Sequence, residues 1–99
     1  MEYEKLEAAM LKQESYKTVC ISTGDITERD IGMLEESDSN MVMSRDTGFF
    51  LKLYEERESN MEEFGGVSLR LLSIIQAAHG AGYRMIEIDA DAQTISGAF

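Results

Sequence analysis

The stretch from Val67 to Asp89, VSLRLLSIIQAAHGAGYRMIEID, holds the densest run of apolar residues in the chain and then a short alternating run. Apolar residues at helical spacing behind Ser68 predict a capped helix. Gly80 and Gly82 mark its end, because glycine commonly follows the last turn of a helix. The alternation from Tyr83 to Asp89 predicts a strand. We therefore expect a largely enclosed helix and a strand that packs beside it.

The bulk composition is that of one small folded domain. The chain has 99 residues, 43% of them apolar, as is ordinary for a globular protein. It contains no apolar run of roughly 18 residues that could cross a membrane. Its first residues are acidic and amphipathic, unlike a signal peptide. The single Cys20 cannot form an internal disulfide. We therefore expect a protein of the reducing cytoplasm.

An amphipathic helix is predicted over residues 2–14, where Tyr3, Leu6 and Met10 follow the i, i+3, i+7 spacing of one helix face. This divides the chain into an N-terminal helix, residues 1–15, and a single α/β domain, residues 16–99. Two arrangements fit the stripe. The helix either docks on the domain or projects and packs on a partner.

The next elements are a strand and a capped helix. Residues 17–22 are β-branched and apolar, which predicts a central strand buried on both faces. Thr27 and Asp30 have the spacing of a capping box, in which each side chain accepts a backbone N–H of the first turn. We expect this helix to run to about Ser37.

A hairpin is predicted from residues 40–45 and 48–54, with Gly48 free to adopt a positive φ in the turn. Alternation places Phe50 and Tyr54 on the face opposite the core. They form a binding surface unless a helix covers them. The core face is expected to carry Phe49, Leu51 and Leu53. Residues 55–66 then read as an acidic loop with at most a short helical turn.

The order of elements, β-α-β-β-α-β, predicts an α+β domain of the ferredoxin-like, split β-α-β kind. That fold has an antiparallel sheet with helices on one face. The N-terminal helix and a short C-terminal strand over residues 94–96 are additions to it. The alternative is a different small α+β layout that uses the same elements in another sheet order.

The sequence offers little catalytic chemistry. Its only cysteine and only histidine, Cys20 and His79, do not have the spacing of a zinc site, and no glycine-rich phosphate loop is present. We assign His79 to capping the preceding helix. Asp89 and Asp91 could bind Mg²⁺ or Ca²⁺, so a divalent-metal-dependent enzyme is one alternative. The preferred prediction is a non-enzymatic protein with no catalytic residue, cofactor or metal site.

Acidity is the feature with the widest consequences. The net charge is −10, which argues against direct binding of nucleic acid or of anionic membranes and permits a basic protein partner. Residues 25–38 hold six acids and one arginine, and residues 55–63 hold five acids and one arginine. Such segments either imitate DNA phosphates, on one face or two, or only keep the protein soluble. The predicted partner contacts are Asp30, Glu35, Glu36, Asp38, Glu55, Glu56, Glu58, Glu62 and Glu63.

Four short motifs resemble a family of short uncharacterised α/β domains from bacterial plasmids and phages. The motifs are Ile21-Ser22-Thr23-Gly24, Gly48-Phe49-Phe50, the run from Ala77 to Tyr83, and the run from Ile86 to Asp91. The similarity covers roughly residues 19–95. It implies a mobile-element accessory protein and transfers no catalytic residue. Ala92 stands where the family pattern has a glycine.

These observations lead to one preferred function and a second from another class. The preferred function is a phage or plasmid inhibitor, of the anti-CRISPR or anti-restriction type, that blocks a host nucleic-acid-binding defence complex in the host cytoplasm with a DNA-mimicking acidic surface. The second is a homodimeric structural module of a mobile element. Its predicted dimer or partner face consists of Tyr3, Leu6, Met10, Phe50 and Tyr54.

Overall fold

The computed structural model describes residues 15–94. The predicted N-terminal helix and residues 95–96 of the predicted last strand lie outside this range. A 3-10 helix, Thr23–Asp25, follows the first strand. The strands are β1 (Thr18–Ser22), β2 (Val42–Arg45), β3 (Gly48–Lys52) and β4 (Met85–Asp89), and the α-helices are α1 (Glu28–Glu36), α2 (Arg57–Glu63) and α3 (Leu69–Gly80). None of these helices is long and apolar enough to span a bilayer.

The strands form one mixed sheet in the order β1-β4-β3-β2. Strand β1 pairs parallel to β4, whereas β4 with β3 and β3 with β2 pair antiparallel. The α/β class is therefore confirmed, but the antiparallel ferredoxin-like arrangement is not. Among residues 15–94, strand β1 lies at an edge of the sheet, so the prediction of a central strand there was wrong. Ile21 points into the core while Cys20 is exposed, so the short apolar run is buried on one face only.

One core lies between the sheet and the helices. Ile88 sits at its centre, beside Ile21 on β1 and opposite Phe49 on β3. Burying each large apolar side chain contributes roughly 1.5–3 kcal/mol, which makes this layer the main stabilising feature of the fold. The buried apolar residues are Ile21, Ile26, Leu34, Phe49, Leu51, Leu53, Phe64, Leu71, Ile75, Ala78, Ile86 and Ile88.

Helix α3 begins and ends near the predicted positions but is less enclosed than predicted. Ser68 caps it, since its hydroxyl accepts the Leu71 N–H at 3.1 Å, and Gly82 follows with a φ of 92°. Only one face is buried, and Leu69 at the opposite side is 82% exposed. The helix contacts the core from one side, so its outer apolar residues have no covering layer among residues 15–94.

The segment predicted as an acidic loop contains helix α2. Its apolar spacing is too sparse to predict a helix, but Asn60 and Phe64 are both buried. The Asn60 side chain accepts the Tyr54 N–H at 2.7 Å and donates to the Tyr54 carbonyl at 3.3 Å. These contacts attach α2 to the end of β3, and they connect residues that local periodicity cannot relate.

The hairpin of β2 and β3 is confirmed, although both strands are shorter than predicted and Tyr54 lies beyond β3. Gly48 does not have a positive φ. A Cβ at this position would lie 1.7 Å from the Ile88 carbonyl oxygen. Glycine is therefore required here by the close approach of β4 rather than by the turn.

Candidate binding surfaces

Asp30 was predicted as a partner contact, and the structure contradicts this. Its side chain is fully buried at the N-terminus of α1. One carboxylate oxygen accepts the Ser68 N–H at 2.8 Å, and the other accepts the Ser68 hydroxyl at 2.5 Å and the Thr27 N–H at 3.2 Å. Burial raises the pKa of Asp30, but the hydrogen bonds from Ser68 and Thr27 outweigh it and hold the pKa below its ordinary value. Asp30 is thus committed to holding two helices together.

The other eight predicted acidic contacts are exposed. Three belong to the end of α1 and the residues after it, and five belong to α2 and its approach. They are Glu35, Glu36, Asp38, Glu55, Glu56, Glu58, Glu62 and Glu63. Their exposure leaves their charges directed at solvent, as a surface for a basic partner requires.

Two of these acids meet Tyr54 in a shallow cavity of about 440 Å³, which Ser59 also lines. The Tyr54 hydroxyl donates to the Glu63 carboxylate at 3.0 Å. This hydrogen bond, with partial desolvation and the negative charge of Glu63, raises the pKa of Tyr54 above its ordinary value. The phenol therefore remains protonated and presents a neutral aromatic ring beside Glu62 and Glu63.

Glu35 lines a different cavity of about 360 Å³, between α1 and the turn of the hairpin. Arg45, Asp46 and Phe49 also border this space. The two acidic segments therefore contribute to separate cavities. The structure brings Glu62 and Glu63 together but does not place Glu35 with them.

Glu55 is the most engaged of the exposed acids. Its carboxylate lies 3.3 Å from Arg84 Nε. His79 Nε2 lies 2.7 Å from the Glu55 carbonyl oxygen and, in the tautomer that suits this contact, donates to it. His79 thus bridges the end of α3 to the start of α2, rather than only capping its own helix as predicted.

The sheet has a second face, which points away from the three helices and which we call the open face. None of its side chains belongs to the buried core. Phe50 lies in the middle, half-buried, with the Arg45 guanidinium carbon 5.4 Å from its ring centre. The register places the following residues on this face: Thr18, Cys20, Ser22, Met43, Arg45, Gly48, Phe50, Lys52, Met85, Glu87 and Asp89.

The predicted dimer face is not brought together in the described part of the chain. Phe50 lies on the open face, whereas Tyr54 lies past β3 in the cavity with Glu63. The strand prediction carried the alternation two residues too far, because β3 ends at Lys52. The remaining predicted members, Tyr3, Leu6 and Met10, lie outside residues 15–94.

Sequence reasoning missed the charged group of the open face. Arg45 forms ion pairs with Glu87 and with Asp89, the latter at 3.2 Å. The alternation of Glu87 and Asp89 along β4 was the available signal, but only the sheet register shows that Arg45 faces them.

Asp89, considered above as a metal ligand, is already satisfied. It accepts the Asp91 N–H at 2.8 Å. This hydrogen bond lowers the pKa of Asp89; partial burial opposes it, and Thr47 and Arg45 reinforce it. Within residues 15–94, no group of three or more His, Cys, Asp or Glu side chains could hold a metal ion. The geometry is that of a salt-bridged strand end.

Comparison with models of known protein families gives a match. The model of the C-terminal domain of a family of unknown function, DUF5983, matches residues 18–98. Among curated proteins, none is similar to the chain. Comparison with solved structures gives no match either. The family match begins with β1 and takes in every described strand and helix, and the chain therefore belongs to the DUF5983 family.

Proposed function

We propose that this domain is a binding protein that docks on a basic protein through the exposed carboxylates of α2 and of the end of α1. The observation that carries the proposal is the combination of a net charge of −10 with eight exposed acids in these two segments. Only Glu55 among the eight is ion-paired within residues 15–94. Charges that are not neutralised internally are available to a partner.

The partner class we infer is a nucleic-acid-binding protein. Its basic groove is built to hold phosphates, and carboxylates at the surface of α2 would compete for that groove. Attraction between opposite charges would also speed encounter and make it sensitive to salt. The resemblance to mobile-element domains suggests a host defence complex, either a CRISPR effector or a restriction enzyme, as the target.

The test is displacement of a labelled DNA duplex from a purified CRISPR effector and from a restriction enzyme. We expect the protein to displace the duplex from at least one of them at about 50 mM salt and much less at about 500 mM. Failure of the wild-type protein against both would remove this partner class.

A matched pair of variants separates a specific surface from net charge. The triple variant Glu56→Gln, Glu58→Gln and Glu62→Gln removes three of the five acidic charges of α2 and its approach. The control, Glu28→Gln, Asp46→Asn and Asp91→Asn, removes the same charge from exposed positions elsewhere. We expect the α2 variant to lose about tenfold or more in apparent affinity and the control to lose less than about threefold. Equal losses would show that total charge, not the α2 surface, is responsible.

A further inference from the structure

Strand β2 is an edge of the sheet within residues 15–94, and part of its backbone has no partner there. The register sets Ser44 opposite Phe49 on β3. The Lys52 N–H donates to the Met41 carbonyl at 2.7 Å, so these two residues form a hydrogen-bonded pair of the same ladder. Such pairs recur at every second residue of an antiparallel ladder. The backbone groups of Ser44 therefore point away from β3.

The outward-facing groups of β2 follow from the planarity of the peptide unit. A trans peptide directs its C=O and the next N–H to opposite sides, so the edge presents the Val42 C=O, the Ser44 N–H and C=O, and the Asp46 N–H. The Val42 N–H also points outward, but it is bonded to the Ser39 carbonyl at 3.2 Å. The other four groups make no hydrogen bond to residues 15–94. They form a row that an added strand can satisfy.

Strand β2 lacks the features that deter pairing at a sheet edge. It contains no proline, and its register with β3 is regular. A charged side chain on an edge strand often prevents pairing. Arg45, however, extends over its own sheet, where Glu87 and Asp89 neutralise it. Met43 is 40% exposed, so an added strand would also cover apolar surface.

We propose that two copies of this chain pair antiparallel through β2, about a twofold axis at Ser44, and so join their sheets. The Ser44 N–H of each copy donates to the Ser44 carbonyl of the other. The Asp46 N–H of each copy donates to the Val42 carbonyl of the other. All four outward groups are satisfied by the same four groups of a second copy, and this self-complementarity favours a second copy over an unrelated strand.

The side chains across the axis are compatible with this pairing. On the open face, Met43 lies opposite Arg45 of the other copy, and on the helical side Val42 lies opposite Asp46. No like charges are directly opposite, an arrangement that would destabilise the sheet. At longer range the two copies repel each other, since each carries a net charge of −10. Salt should therefore strengthen the dimer, whereas it weakens the proposed binding to a basic protein, and the two proposals stand or fall separately.

Sedimentation velocity of the full chain at about 0.5 M salt tests the proposal. We expect a reversible dimer with a dissociation constant on the order of 0.1 mM. Ser44→Pro removes an N–H that makes no bond within the described chain, so the fold should persist while the dissociation constant rises about tenfold or more. The control Ser44→Thr keeps the N–H and should dimerise like the wild type. A wild type that stays monomeric to about 1 mM overturns the proposal, as does a folded Ser44→Pro variant that dimerises equally well.

A cysteine cross-link tests the twofold axis itself and does not depend on how well Ser44→Pro folds. Opposite Cα atoms of a hydrogen-bonded pair lie about 5.5 Å apart, within reach of a disulfide. With the exposed Cys20 replaced by serine, Ser44→Cys should form a covalent dimer under mild oxidation, and Glu58→Cys on α2 should not. Equal cross-linking of these two variants would overturn the proposal. Growth into larger oligomers, which would indicate pairing of β2 with β1 of the next copy, or a dimer that weakens as salt is added, would also overturn it.

Discussion

Asp30 connects the N-termini of two helices that are far apart in sequence. It completes the capping box of α1 with Thr27. It also accepts both the N–H and the hydroxyl of Ser68, whose own oxygen caps α3. A buried carboxylate is tolerated here because three hydrogen-bond donors surround it: the N–H of Thr27, and the N–H and the hydroxyl of Ser68. The same residue therefore fixes how α1 and α3 lie on the sheet.

Replacing Asp30 with alanine should lower the free energy of unfolding by about 3 kcal/mol. Roughly 1 kcal/mol arises from each of the three donors left without an acceptor, the N–H of Thr27 and the N–H and hydroxyl of Ser68. Urea unfolding at neutral pH measures the change. Glu28→Gln, in the same helical turn but exposed, should cost no more than about 0.5 kcal/mol. Similar losses for both variants would contradict a special role for the buried carboxylate.

The lowered pKa of Asp30 predicts a specific loss of stability in acid. The unfolded carboxyl has a pKa near 3.8 and the folded one lies lower. As the pH falls below that value the unfolded state binds the proton first, so the free energy of unfolding decreases until folded Asp30 is also protonated. The advantage of the wild type over Asp30→Asn should therefore shrink below about pH 4. The non-titrating variant Gly32→Ala should differ from the wild type by a constant amount instead.

Gly48 and Gly32 make a contrasting pair for backbone packing. Gly48→Ala would place a methyl group against the Ile88 carbonyl and should destabilise the domain by about 3 kcal/mol or more. Gly32 lies inside α1 with nothing within 4 Å of an added Cβ, so Gly32→Ala should stabilise it by roughly 0.5–1 kcal/mol. Thermal unfolding of the two variants provides the comparison. A neutral Gly48→Ala would show that β3 and β4 do not approach as closely as described.

At the scale of elements, α2 is held by its buried residues rather than by its own propensity. It has only seven residues and no side-chain cap. A helix this short is not stable alone in water, so tertiary contacts must supply its stability. Asn60 provides them through its hydrogen bonds to Tyr54 just after β3, and Phe64 provides them by packing in the core. The acidic surface of α2 is therefore positioned by two buried, uncharged side chains, an amide and an aromatic ring.

Asn60→Ala should cost roughly 2–3 kcal/mol, because both the N–H and the carbonyl of Tyr54 lose their partner. Hydrogen exchange should show α2 amides opening before those of α3. Asn60→Asp keeps the acceptor for the Tyr54 N–H but loses the donor to the Tyr54 carbonyl. The missing donor alone would give an intermediate loss of stability, and burial of the negative charge makes that loss larger. Met61→Ala, at a 44% exposed neighbour, is the control and should have little effect. An unchanged exchange pattern in Asn60→Ala would refute this account of α2.

At the scale of the whole molecule, the charge is unevenly distributed. The helical side carries the exposed acids of α1 and α2. The open face instead carries two basic residues, Arg45 and Lys52, beside its two acids, Glu87 and Asp89. Like charges on one side repel each other, and the repulsion stabilises neither the helices nor their packing. Retaining such a surface is consistent with a role in binding.

Added NaCl should therefore raise the free energy of unfolding. Between about 0.01 M and 0.5 M salt we expect a gain of about 1 kcal/mol, because screening weakens repulsion among the exposed carboxylates. The triple variant Glu56→Gln, Glu58→Gln and Glu62→Gln should gain less. Chemical unfolding in urea at each salt concentration measures both. A stability that falls with salt would indicate that attractive ion pairs dominate the surface.

Local patterns predicted the local elements. The Thr27–Asp30 cap, the Ser68 cap and the inward set of Phe49, Leu51 and Leu53 could be read because each depends on residues a few positions apart. The exposure of the acidic segments followed for the same reason, since unpaired charges remain in water. Asp25 and Asp30 are the exceptions, since both are buried. The burial of Asp30 could not be foreseen, because its second partner, Ser68, is 38 residues away.

The sequence by itself determined the four strands, the helices α1 and α3, the inward-facing residues of β3 and the excess of negative charge. Only the tertiary structure decided the strand order, the edge position of β1, the helix at α2 and the pairing of Arg45 with Glu87 and Asp89. The physical reason is that these features are selected by contacts between distant segments. Ile88, for example, lies between Ile21 and Phe49, and no periodicity along the chain specifies either neighbour.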